Sequence, residues 1–435
     1  MKRISFCTLG CKVNQVETEQ MTEDFLRRGY QVADYGDPVD VCIINTCTVT
    51  HISDRKSRAM LRRAIRTNPA ALVVATGCLA QVDAVQIGAM EGVGLVVGNR
   101  AKEHIAAIVE TCLAGEGPGQ SLWLEPPCPQ QGLRPSLYSR PHKRTRAFVK
   151  IQDGCQSFCS YCVVPYARGQ VRSKRPDDVV AEIVQLRELG YKEMVLTGIH
   201  TGQYGRDLED WDVTRLLDYI LGQVTGDYRI RLSSIEPLEV TDRLLAMMAT
   251  DPRICRHLHI PLQSGSDQIL TSMGRHYTRD YYRRLVLKAA ALLPTAAFTA
   301  DVMVGFPRET DTDFQATYDL LAELPVYDLH VFKYSQRAGT PAANMTGQVE
   351  ATVKQQRSQE LLALANSKKR QFIAKQVGQA VPVVIEKMLS AGIYTGLSDN
   401  YIEVHLPGRG DMVGELVTVV IDAAHPDLAT GHVVG

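Results

Sequence analysis

The chain has 435 residues, which at roughly 150 per domain allows about three domains. Its 48 lysines and arginines balance 48 aspartates and glutamates, so a histone-like basic surface is excluded while local basic patches remain open. Apolar residues make up 45%, no run approaches the roughly 20 needed to span a bilayer, and Met1–Cys7 lacks a signal peptide's apolar stretch, so a cytoplasmic protein without membrane partners is expected.

In chain order, strand-length apolar runs at 2–9, 39–46, 72–77 and 92–98 alternate with helical patterns such as 16–29 and 54–66. That alternation predicts a doubly wound α/β unit over 1–113, with a parallel sheet. A Pro- and Gly-rich stretch at 114–140, including Glu125-Pro126-Pro127-Cys128-Pro129, reads as a linker. Strands at 147–152, 193–198, 228–234, 257–262, 297–304 and 328–334, with helical patterns at 177–189, 241–249, 279–293 and 311–323, fall within 141–371. Six such units predict a partial (βα)6 barrel, since a full eight-fold one needs roughly 250 residues. A polar helix at 351–376 follows, and the last part, 372–435, carries short β-rich runs (Val381–Ile385, Tyr401–Leu406, Leu416–Ile421) typical of a small antiparallel β-barrel.

The 11 cysteines are an odd number in a chain long enough to build its own core, so metal binding or catalysis is a better expectation than a disulfide framework. Cys155, Cys159 and Cys162 stand at C-x-x-x-C-x-x-C spacing just after the first barrel strand, at the end where barrel active sites are built. Thiolates so close can hold three irons of one cubane [4Fe-4S] cluster and leave the fourth open. A structural zinc site wants four protein ligands, and no fourth stands nearby. A second set, Cys11, Cys47 and Cys78, lies 36 and 31 residues apart, each just beyond a predicted strand. In a parallel sheet those ends share one edge, where doubly wound folds bind ligands, so the three can converge on a second cluster. Any one of them alone reads equally as a buried loop cysteine.

The first motif, with Tyr161 before its last cysteine, resembles the radical S-adenosylmethionine superfamily. Thr8-Leu9-Gly10-Cys11-Lys12-Val13-Asn14, Asn45-Thr46-Cys47-Thr48 and Thr76-Gly77-Cys78 then resemble the methylthiotransferases, over essentially the whole chain. The resemblance implies an amino-terminal cluster domain, a radical barrel and a C-terminal TRAM domain. It also implies two [4Fe-4S] clusters, two molecules of S-adenosyl-L-methionine per turnover, an electron donor and a sulfur donor. In that scheme Cys155, Cys159 and Cys162 hold the catalytic cluster, and Cys11, Cys47 and Cys78 hold the auxiliary one. Cys11–Glu19, Asn45–Thr50 and Asp54–Arg58 look most like the branch that methylthiolates C2 of N6-threonylcarbamoyladenosine at position 37, in the anticodon arm of tRNA. The isopentenyladenosine branch and the ribosomal-protein aspartate branch are the alternatives within the family, and a zinc-stabilised RNA-binding protein is the alternative outside it.

The superfamily pattern further implies cofactor contacts at the ends of barrel strands: Tyr161, backbone at Thr197 and Gly198, Ser233, Ser234 and Glu236, Gln263 with Ser264, and backbone at Gly305. A serine at such a strand end equally caps the next helix. Three basic stretches adjoin the expected clusters: Arg55, Lys56, Arg58, Arg62, Arg63 and Arg66; Arg140, Lys143, Arg144, Arg146 and Lys150; Arg168, Arg172, Lys174 and Arg175. Each reads as a solvated face or as part of a path for tRNA phosphates. Tyr401 is a candidate for base stacking or for packing. Cys7, Cys42, Cys112, Cys128 and Cys255 read as core or incidental. His200, His257 and His259 read as hydrogen-bonded core.

Overall fold

Strand β3 (Val41–Thr46) is buried at every position, as a strand covered on both faces must be. In the computed structural model, which describes residues 1–115, 121–124, 132–136, 138–139 and 144–434, it lies within a six-stranded parallel sheet. The other strands are β1 (Arg3–Thr8), β2 (Gln31–Ala33), β4 (Leu72–Gly77), β5 (Leu95–Val97) and β6 (Ser121–Trp123), in the order β2-β1-β3-β4-β5-β6. Ile43 and Val74 pack on one face with Phe25 and Ile105, whereas Cys42, Ile44, Val73 and Ala75 pack on the other with Leu61 and Leu79. This is the expected doubly wound unit. Two edge strands were not expected, because three-residue runs are too short to show a period; one of them, β6, lies inside the stretch read as a linker. Residues 125–131 of that stretch, with Cys128, and Arg140 and Lys143 lie outside the described residues.

The second unit opens with β7 (Arg146–Lys150) and a short ribbon of β8 (Gln152–Asp153) with β9 (Arg172–Ser173). Strands β10 (Glu193–Thr197), β11 (Arg229–Leu232), β12 (His257–His259), β13 (Ala297–Val304) and β14 (Asp328–Lys333) follow, with helices between them. They form two parallel three-stranded sheets, β11-β10-β7 and β12-β13-β14, with a parallel bridge between Ile230 and Ile254. Strand alternation separates two faces. Val149, Leu196, Ile230, Leu258, Phe298, Ala300 and Leu329 pack into one large core with the helices. Their neighbours on the inner face are mostly polar: Arg146, Lys150, Glu193, Arg229, Arg231, His257, His259, Asp301 and His330.

The final unit is a closed barrel of β15 (Ala380–Ser390), β16 (Ile393–Ser398), β17 (Glu403–Pro407), β18 (Leu416–Ala424) and β19 (Ala429–Val433). All its pairs are antiparallel except β17 with β19, which run parallel. Helix Ala351–Ala374 reaches it from the radical unit, giving Leu361 and Ala365 to the larger core and Ile373 to the small barrel's core. Arg229 donates to the carbonyls of Pro382 and Leu397 at 2.8 and 2.7 Å, and Arg231 to those of Asp399 and Ser398 at 2.7 and 2.9 Å. Both guanidinium groups also hold the buried Glu193 carboxylate, so the small barrel closes the floor of the larger one through a fully paired polar layer. No helix among the described residues is long and apolar enough to cross a membrane.

Candidate cluster and cofactor sites

Cys11, Cys47 and Cys78 follow the carboxyl ends of three neighbouring strands, β1, β3 and β4. Cys11 is the N-cap residue of helix Lys12–Arg27, and Cys78 opens a short helix directly after Gly77. Gly10 has φ +97°, and a Cβ there would stand 2.9 Å from Cys47 Sγ, so the glycine lets the β1 loop close onto Cys47. Asn14 clamps the same loops by donating to the carbonyls of Leu9 and Thr46 at 2.7 and 3.1 Å. Burial raises the thiol pKa of both Cys11 and Cys47, each in the electrostatic field of the other cysteines of the set. Such thiols ionise readily only when a cation takes up the charge.

The loop of Cys155, Cys159 and Cys162 starts where β7 and β8 end. Gly154, at φ +80°, faces the Gln170 carbonyl so closely that any Cβ would collide with it. Gln152 ties this loop to the one after β10, donating to the Gly154 carbonyl at 2.7 Å and accepting from the His200 amide at 2.9 Å. His200 Nδ1 lies 3.5 Å from Cys155 Sγ, and its Nε2 lies 2.8 Å from Glu239. Burial alone would raise the Cys155 pKa, but His200 outweighs it and leaves the thiol below its ordinary value. Burial lowers and the bonds to Cys155 and Glu239 raise the His200 pKa, to about 9 in balance. Arg275 Nη1 stands 3.3 Å from Cys159 Sγ and also pairs with Glu236. Burial pushes Cys162 up to about 12. In neither triad, among the described residues, do three Sγ atoms gather within 4.8 Å of one another, as donors around one ion would.

The two sites are joined by Arg168, which follows Cys162 by six residues. Its side chain is fully buried, and its Nε donates to Cys78 Sγ at 3.3 Å. Its terminal nitrogens bond Asn14 and Glu17 of the first unit and lie 3.4 Å from Asp153 of the second. Lys102 and Lys150 complete the network with 2.6 and 2.7 Å bonds to Glu17. Burial opposes the charge on Glu17, yet the three cations outweigh it and hold the carboxyl well below its usual range.

The remaining expected contacts divide. Tyr161 packs beside Phe306 and Tyr334 in a small cluster behind the cysteine loop. Thr197 is buried at the end of β10, and a Cβ on Gly198 would stand 2.7 Å from Gln152 Oε1, so both belong to the loop that Gln152 anchors. Ser234 is exposed, whereas Glu236 is engaged by Arg275. Gln263 has φ +65° and continues the β12–β13 ladder through its backbone, while Ser264 accepts from the Ser266 amide at 3.2 Å. The Gly305 amide donates to Glu309 at 2.6 Å, and the Lys354 stem occupies the space its side chain would fill.

The described residues of two of the three basic stretches turn mostly inward instead of forming a phosphate path. Arg144 bonds Gln15 and Glu19, Arg146 bonds Glu386 at 2.8 Å, and Lys150 is buried. In the third stretch Arg172 bonds Glu103 at 3.1 Å and Lys174 pairs with Glu182, which leaves only Arg175 exposed. Arg144, Arg146, Lys150 and Arg172 meet carboxylates of a neighbouring unit, whereas Lys174 pairs within its own, so carboxylates that sequence distance hides neutralise them. Arg55, Lys56, Arg62, Arg63 and Arg66 do form an exposed face on helix His51–Thr67. Tyr401 is packing, not a free platform: it stacks on His257 with centroids 4.5 Å apart. His200 is more than core, since it touches Cys155. Sequence reading also passed over Gln152, Arg275 and the His259–Asp301–His330 group, in which Asp301 Oδ1 stands 3.1 and 3.2 Å from the two imidazoles. The alternation His-x-His, Thr-x-Asp and Asp-x-His in successive barrel strands carried that signal.

Residues 3–98 match the uncharacterised protein family UPF0004, and residues 149–321 match the radical SAM superfamily. The chain is 39% identical to the threonylcarbamoyladenosine tRNA methylthiotransferase MtaB of Bacillus subtilis, over 98% of this chain and 95% of that protein. It is 37% identical to the MtaB of Aquifex aeolicus, over 96% and 100% of the two. The tRNA-2-methylthio-N(6)-dimethylallyladenosine synthase of Geobacillus thermodenitrificans is 33% identical, over 98% of this chain and 82% of that one. Among solved structures, the radical S-adenosylmethionine methyltransferase TsrM of Kitasatospora setae shares the fold at TM-score 0.60 and 16% identity, covering 79% of this chain and 77% of that chain.

Proposed function

The chain belongs to the radical S-adenosylmethionine methylthiotransferases, and we propose that it adds a methylthio group to C2 of N6-threonylcarbamoyladenosine at tRNA position 37. The observation that carries this reading is the bridge made by Arg168. Arg168, six residues after the radical triad, touches Cys78 of the other triad, which supports a reading in which the two cysteine sets serve one reaction.

Cys155, Cys159 and Cys162 would hold one [4Fe-4S] cluster, and Cys11, Cys47 and Cys78 a second. The chemistry of the donors fits: each triad is three thiols set at strand ends or in one loop, with cationic side chains at Cys155, Cys159 and Cys78. When bound, the first cluster and S-adenosylmethionine supply the electron and the hydrogen-abstracting radical, while the second presents sulfur. The chain's own residues do the positioning. His200 and Arg275 place positive charge at the thiolates of the radical loop, and Arg168 does so at Cys78. Glu17 and Asp153 fix Arg168, so the spacing of the two sites is set by a buried ion network and not by a flexible linker. The polar inner face of the radical barrel would receive the base.

The test is methylthiolation by the reconstituted enzyme of tRNA carrying threonylcarbamoyladenosine, read by mass spectrometry of the digested nucleosides. Gain of one methylthio group on that nucleoside is expected. Product only on isopentenyladenosine tRNA, or only on a ribosomal protein, would sink the reading.

A further inference from the structure

Among the described residues, most charged groups on the inner face of the radical barrel are ion-paired. Arg146 is held by Glu386 and lies 3.6 Å from Glu193, while Arg229 and Arg231 share Glu193. Lys150 bonds Glu17 and Asp153, and His259 and His330 share Asp301. Lys12 has neither a hydrogen bond nor an ion pair among the described residues.

Its position is set by helix geometry. Lys12 opens helix Lys12–Arg27, directly after Cys11. Val16, one turn further on the same face, packs against Phe148 and Val195, both inward-facing barrel residues. Lys12 therefore faces the barrel interior. There its ammonium lies in electrostatic reach of Tyr401, Arg146, Arg231 and Glu193 on the floor, and of His257 and His330 on the wall. The interior is open on that side, since the His330 side chain is 60% exposed and Phe332 is 42% exposed. Arg146, Arg229, Arg231 and Lys12 face Glu193, Glu386 and Asp399, with Asp328 beside His330 and Asp301 engaged by its two histidines; among the described residues Lys12 is the one of these four cations that no carboxylate pairs.

We propose that Lys12 is a specificity-determining residue whose ammonium receives the carboxylate of the threonylcarbamoyl group on the target adenosine. This rests on the substrate reading above. The chemistry of the base supplies the spacing argument: the N6 substituent and C2 flank the same ring nitrogen, N1. A group that binds the substituent must therefore stand beside the group that presents sulfur, and Lys12 is the residue next to Cys11. An unpaired cation in a partly desolvated site favours a carboxylate and penalises an apolar substituent that leaves it unpaired.

The experiment is anaerobic binding of anticodon stem–loops to the reconstituted full-length enzyme, comparing adenosine, isopentenyladenosine and threonylcarbamoyladenosine at position 37. The wild type is expected to prefer the threonylcarbamoyl form by about tenfold or more, the scale of a charge-assisted hydrogen bond. Lys12→Met abolishes that preference, while Lys12→Arg keeps most of it; iron content is measured on each variant so that loss of a cluster is not mistaken for loss of substrate recognition. An unchanged preference in Lys12→Met overturns the proposal. Equal weakening of all three stem–loops also overturns it, because it makes Lys12 a phosphate-binding residue. Failure of the wild type to methylthiolate threonylcarbamoyladenosine tRNA overturns the substrate reading itself, and this inference with it.

Discussion

Cys155, Cys159 and Cys162 come from one loop of eight residues, whereas Cys11, Cys47 and Cys78 come from the ends of three strands spread over 68 residues. The first triad is held by short-range devices: Gly154 at positive φ, Gln152, and the cations His200 and Arg275 at individual thiols. The second depends on the register of a parallel sheet, in which Thr46 pairs with Gly77 at the strand ends and Thr8 pairs one residue earlier, with Asn45. A local loop tolerates change elsewhere in the fold, while a sheet edge is only as exact as the sheet beneath it. Arg168 is where the two designs meet.

The comparison is broken most directly at the thiols. Cys159→Ala is expected to abolish both cofactor cleavage and product, while Cys47→Ala keeps cleavage, read as 5′-deoxyadenosine release, and yields no methylthiolated nucleoside. Iron analysis of the reconstituted protein is expected to give about eight irons, falling to about four when Cys155, Cys159 and Cys162 are all replaced by alanine. About four in the wild type would remove the auxiliary site.

Next in size is the bridge. Arg168→Met leaves Glu17 and Asp153 buried with one cation fewer, a change that costs about 3 kcal/mol of unfolding free energy in comparable sites. Product formation is expected to fall more than cofactor cleavage, whereas Arg275→Met acts chiefly on cleavage. Equal effects of the two variants on the two readouts would show that the sites are not separately supported.

A third prediction concerns the floor of the barrel. Burial alone would raise the Glu193 pKa, but Arg229 and Arg231 hold it well below its ordinary value of 4.5. Its contribution to stability is therefore complete above that ordinary value and is lost as pH falls through the depressed one. Thermal unfolding should weaken progressively below pH 4.5 in the wild type, and Glu193→Gln should lower stability at neutral pH while flattening that acid branch. A variant with the same acid slope as the wild type would place the titration elsewhere.

The smallest effect is expected at the exposed arginines of helix His51–Thr67. Arg55→Gln, Arg62→Gln and Arg66→Gln together should weaken tRNA binding and make its salt dependence shallower, by about 0.7 to 0.9 in log–log slope for each tRNA phosphate that is no longer neutralised. Unfolding free energy should change by no more than about 0.5 kcal/mol per site, as for exposed residues generally. Unchanged affinity and slope would make this face merely solvated.

The contrast also explains how far the sequence alone could be read. The radical motif was legible because its spacing is local, and the three strand-end cysteines because β1, β3 and β4 announce themselves as apolar runs followed by Cys. The inward turn of Arg146, Lys150, Arg168 and Lys174 was not legible, because charge in a sequence carries no sign of whether a carboxylate waits opposite it. Glu17 and Arg168 are 151 positions apart, yet they touch.

By itself, then, the sequence determined most of the element types and the placing of six cysteines in one loop and at three strand ends, since these follow from periodicity and short-range spacing. Only the tertiary structure decided which cations neutralise which carboxylates, which histidine meets Cys155, and that Lys12 is left unpaired. Those facts depend on the register of strands and the docking of one unit on another, which bring together residues that no local pattern connects.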